Sequence, residues 1–74
     1  MCNLWIVYGK LPGIGWVKVP AMTKYDSLAE LEQAINGSET YSRLEISKIE
    51  AVGEVKGPPG MGCWTEMPGC ERGE

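Results

Sequence analysis

Seventy-four residues allow one domain, and a chain this short buries only about 60% of its unfolded surface, so its core is thin and a partner, a dimer interface or a cross-link would support it. A hydrophobic fraction of 43% and a charged fraction of 23% are globular values that exclude disorder through most of the chain. The net charge of −3 comes without the clustered Lys/Arg and high pI of a nucleic-acid-binding surface, and no apolar run approaches the roughly 20 residues that span a bilayer.

The charge is unevenly placed. Residues 1–25 carry Lys10, Lys18 and Lys24 and no acid, whereas all ten acids follow. An acidic half of this kind is either a solvated face or a surface complementary to a basic one, such as a nucleic-acid-binding groove on another protein. No basic region precedes the apolar N-terminal residues, so no secretory signal is expected. Cys2, Cys63 and Cys70 make an odd count, unlike the even number of a secreted disulfide scaffold. Both observations lead us to expect a cytoplasmic protein.

Leu4-Trp5-Ile6-Val7-Tyr8 is bulky and β-branched, a strand signal, and its continuous hydrophobicity suggests a central place in a sheet. Gly9-Lys10-Leu11-Pro12-Gly13-Ile14-Gly15 then reads as a loop of moderate length. It lacks the spacing of a phosphate-binding loop. Trp16-Val17-Lys18-Val19 resumes strand character, and Pro20 limits how far an interior strand can run. The two strands form a hairpin.

Ser27 to Asn36 is the clearest helix. Ser27 and Glu30 have capping-box spacing, Leu28, Leu31, Ala34 and Ile35 fall on one apolar face, and Gly37 predicts a left-handed stop. Beyond it, Tyr41-Ser42-Arg43-Leu44-Glu45-Ile46 alternates, with Leu44 and Ile46 on one face. Ile49 and Val52 break that parity, which a bulge near Ser47-Lys48 would repair. A helix over Tyr41 to Val52 is the alternative, and it would point Ile46 the wrong way. Ala51 to Lys56 extends the strand or forms a short one of its own. From Gly57 onward the chain is rich in Gly and Pro and reads as a flexible Gly/Pro/Cys-rich tail, ordered at most where Trp64 finds a groove.

The pattern is thus a β-β-α-β two-layer α+β domain over residues 1–56, with the last strand beside the first and a tail over 57–74. Chemistry is sparse. With no His in the sequence, general acid–base catalysis would need a carboxylate with a strongly shifted pKa, which a thin core is poorly placed to supply. Cys2 reads as a partly buried thiol at a strand start. Met61, Cys63, Met67 and Cys70 gather soft ligands that suit Cu(I), while Cys63 and Cys70 could instead form a disulfide under oxidising conditions. A sulfur-ligand metal or redox module is therefore one alternative, and a homo-oligomeric structural protein or homodimer is another. We expect no cofactor and no resident metal.

The remaining signal is aromatic. Trp5, Trp16 and Trp64 with Tyr8, Tyr25 and Tyr41 exceed what a thin core needs, and such side chains anchor protein interfaces at low entropy cost. Trp5 belongs in the core. Trp16 and Trp64, with Lys10 and the acids Glu45, Glu50 and Glu54, are the expected partner-binding residues. The sequence therefore reads as a small non-enzymatic protein-binding module, and an inhibitor of a host complex, of phage or mobile-element and anti-CRISPR-like type, fits that description.

Overall fold

A computed structural model describes residues 1–66. They form an antiparallel sheet with one helix against one face, a small α+β domain. Strands β1 (Cys2–Leu11) and β2 (Gly15–Thr23) form the hairpin, α1 (Leu28–Asn36) follows, and a single 3-10 turn (Tyr41–Arg43) leads into β3 (Glu45–Val55). The strand order is β3-β1-β2, with β1 in the centre as its sequence suggested. Two further strands, β4 (Gly60–Met61) and β5 (Thr65–Glu66), pair with the outer edge of β2.

The hairpin is tighter than its glycines imply. Lys10 and Leu11 are still in register with Trp16 and Gly15, so the expected seven-residue loop shrinks to Pro12-Gly13-Ile14. Ile14 N–H donates to Leu11 C=O at 3.1 Å. Pro12 sets the first turn position and Gly13, at φ +83°, supplies the positive dihedral of a type II turn. Gly9 stays in the strand for another reason: a Cβ there would lie 2.5 Å from the Glu45 carbonyl oxygen. Pro20 does not end β2, because its carbonyl accepts from Gly62 N–H at 2.8 Å. In an antiparallel strand the N and C=O of one residue point the same way, so the missing N–H lies on the outer side and costs the β1 ladder nothing.

The helix starts as predicted, with Ser27 Oγ accepting from Glu30 N–H at 3.3 Å. The return half of the capping box is absent; Glu30 accepts instead from the backbone N–H groups of Lys24 at 2.7 Å and Tyr25 at 3.1 Å, tying the helix to the end of β2. Gly37 ends the helix in a right-handed conformation, φ −83°, and not in the left-handed one expected. Leu31 and Ile35 are buried, but Leu28 is 48% exposed and turns away from the sheet. The reason is placement: α1 packs on β2 and β4 and against the 3-10 turn, so only part of its apolar stripe finds sheet beneath it.

The core joins Trp5, Val7 and Leu11 of β1 with Val17, Val19 and Ala21 of β2, under Leu31, Ile35, Tyr41 and Leu44. Full burial of Val7, Val17, Val19 and Leu31 stabilises the fold by about 1.5–3 kcal/mol each. Thr23 is the buried polar residue among them. It accepts from the Trp5 indole N–H at 2.8 Å and donates to Tyr25 C=O at 2.6 Å.

After the helix, Tyr41 to Arg43 form the 3-10 turn in place of the start of a strand. Register shifts in β3 fall between the partners of Tyr8 and Gly9, leaving Ser47 extra, and between those of Leu4 and Trp5, leaving Val52 extra. The first is the bulge inferred from the broken parity. The segment read as tail is the larger departure. Met61 pairs with Ala21, and Thr65 and Glu66 pair with Lys18 and Val17; Trp64 packs on the core. Tyr41 Oη donates to Gly62 C=O at 2.7 Å and latches this segment to the helical side. A stretch without apolar periodicity is ordered here by the open edge of β2.

A candidate interaction surface on the open sheet face

Alternate residues of a strand face opposite ways, and the helix takes the face of Trp5, Val7, Val17 and Val19. The other face carries the even-numbered residues of β1 and β2. Cross-strand register arranges them in rows: Glu45–Lys10–Trp16, then Lys48–Tyr8–Lys18, then Glu50–Ile6–Pro20, then Gly53–Leu4–Met22. Among the described residues, α1 and the 3-10 turn both lie on the opposite side. Leu4, Ile6, Tyr8, Trp16, Pro20 and Met22 are accordingly half-buried by their neighbours, while Lys10, Lys18, Glu45, Lys48 and Glu50 are exposed.

The rows are linked by polar contacts. Tyr8 Oη donates to Glu50 Oε1 at 2.9 Å, and Lys48 Nζ sits 5.1 Å from the Tyr8 ring centroid, within cation–π range. The hydrogen bond to Glu50 raises the Tyr8 pKa above its ordinary value, helped by desolvation and the Glu50 charge. All three effects favour the neutral phenol, as a donor. The aromatic ring is thereby fixed between a cation and a carboxylate.

Four of the six residues expected at a partner interface come together here. Lys10, Trp16 and Glu45 form one row, and Glu50 lies two rows away. Glu54 pairs with Asn3 and so shares the helix-side face. Trp64 packs against the core from the same side. Tyr8, which the sequence offered only among its surplus aromatics, completes the patch with Lys18 and Lys48, neither of which was expected at an interface. Their signal was strand parity, readable once Val7 and Val17 are assigned inward.

The sulfur residues divide differently. Cys2 is buried and Cys63 exposed, both as free thiols; Met67 and Cys70 lie outside the described residues. Among the described residues no group of three His, Cys, Asp or Glu side chains is placed to hold a metal ion, and no helix is long and apolar enough to cross a membrane. No protein-family model, no curated protein and no solved structure matches the chain.

Proposed function

We propose that this chain is a small non-enzymatic protein-binding module whose contact surface is the open sheet face. The observation that carries the reading is the half-buried row of Leu4, Ile6, Tyr8, Trp16 and Pro20, flanked by exposed charges, on a face that α1 does not cover. An apolar and aromatic centre with a polar rim is the usual anatomy of a protein interface. The rim mixes Lys10, Lys18 and Lys48 with Glu45 and Glu50, so it suits a partner surface of both signs better than a purely basic groove. Occupying such a surface is sufficient for an inhibitor of a larger complex, and the proposal includes that mode of action for a protein of phage or mobile-element type.

The test compares two faces of the same molecule. Tagged wild-type chain is used to capture proteins from a candidate host lysate, beside Trp16→Ala and Lys10→Glu on the open face and Glu32→Ala on the helix. The expected result is a partner retained by wild type and Glu32→Ala and lost by both open-face variants, with circular dichroism unchanged in all. Equal capture by all four chains would sink the assignment of this face.

A further inference from the structure

β3 is an edge strand of eleven residues, and its outer backbone groups have no strand beside them among the described residues. Which groups point outward follows from Pro20. Its carbonyl faces Gly62, so Ile6, opposite Pro20, directs its own N–H and C=O to the other side, toward Glu50. Glu50 therefore points inward, and its neighbours Ile49 and Ala51 present free N–H and C=O groups at the edge.

We infer that β3 pairs with β3 of a second copy, antiparallel, about a two-fold axis through Ile49. Two observations select that register. Ile49 opposite Ile49 of the second copy is a pair that exchanges both backbone hydrogen bonds. It places Lys48 opposite Glu50 of the second copy, and Glu50 opposite Lys48, all four on the open face and all exposed. An axis through Glu50 would oppose two like charges, and one through Ala51 would run the Val52 bulge into the middle of the ladder. A C2 contact must be self-complementary in this sense. The bulges at Ser47 and Val52 confine regular pairing to the stretch between them, and bulges of this kind discourage indiscriminate edge pairing. The contact is therefore short and weak, and it joins two open faces side by side. It stands independently of whether that face binds another protein.

Self-association is measured on the full chain by sedimentation at about 100 μM, where a small interface of low affinity is still populated. Wild type should sediment at twice its 8.1 kDa mass. Lys48→Glu and Glu50→Lys each oppose like charges twice and should each weaken association by at least about tenfold. An equimolar mixture of the two variants restores opposite charges at both positions and should recover the dimer. Monomeric wild type, dimeric single variants, or a mixture that stays monomeric would each overturn the inference. Circular dichroism checks that both variants fold. Should one not, Ala51→Pro takes its place and must lose the dimer, because it removes an outward N–H from the edge of β3.

Discussion

β2 and β3 flank the same central strand and carry comparable apolar residues, yet they meet opposite fates. In β2, Val17, Val19, Ala21 and Thr23 are all buried to within about a hundredth of their surface, whereas none of the eleven residues of β3 is buried. Composition does not decide this. The connection from β2 to α1 is only four residues long, and short links keep consecutive elements adjacent. The helix therefore turns back over β2, and the segment after β3 closes the far edge of β2 as well. Among the described residues, what remains for β3 is a single neighbouring strand. A thin core has been concentrated on one hairpin strand at the expense of the other flank.

The sharpest way to break that contrast is a matched pair of truncations. Leu31→Ala removes a side chain with no exposed surface and should cost about 2–5 kcal/mol, much of the stability of a domain this small. Ile46→Ala on β3 should cost well under about 1 kcal/mol, because its side chain is already 43% exposed and little apolar area is lost. Urea denaturation followed by circular dichroism measures both, and equal shifts in midpoint would contradict the division described above. A middle-sized effect is expected at the seam. Gly9→Ala forces a Cβ against the Glu45 carbonyl, so β1 and β3 must separate locally at about 1–3 kcal/mol. Amide exchange should quicken along β3 and stay unchanged in β2; uniform loss of protection would mean that the two flanks are one cooperative unit.

The smallest effect concerns the latch on the β2 side. Tyr41→Phe removes the bond to Gly62 and should cost about 0.5–1.5 kcal/mol. Burial pushes the Tyr41 pKa above its ordinary value of 10.0, the charge of Cys63 adds to this, and a backbone hydrogen bond from Trp64 opposes it. A raised folded pKa means that the stabilisation is complete below pH 10 and is lost as pH rises through the folded value. Wild type should thus weaken in alkali more steeply than Tyr41→Phe. Identical pH profiles would remove the phenol from this role.

Reading the chain alone recovers the elements whose signals are local. Ser27, Leu31 and Ile35 mark the helix by spacing, and Ile46 against Ile49 reveals the Ser47 bulge through broken parity. Elements set by long-range geometry were not legible. The pairing of Met61, Thr65 and Glu66 depends on a vacant edge at β2, and nothing in a Gly- and Pro-rich segment announces that. Leu28 has the right periodicity for the core and is exposed because the sheet under α1 ends too soon. For the candidate surface, Trp16 and Lys10 stood out by type, while Tyr8 and Lys48 acquire meaning only when register brings them beside Glu50. Glu54 and Trp64 looked equally eligible and fall on the other side: the bulge at Val52 inverts the face of Glu54, and Trp64 is carried onto the core by the segment that closes the edge of β2.

The hydrogen bond from the Trp5 indole to Thr23 has a use beyond packing. Trp16 and Trp64 are only half-buried, while Trp5 is 8% exposed and donates to a hydroxyl with 1% exposure. In deuterated water the Trp16 and Trp64 indole protons should vanish from a nuclear magnetic resonance spectrum early, and that of Trp5 should persist. Its decay rate is then a natural clock for opening of the β1–β2 core, read from one resolved signal without a label.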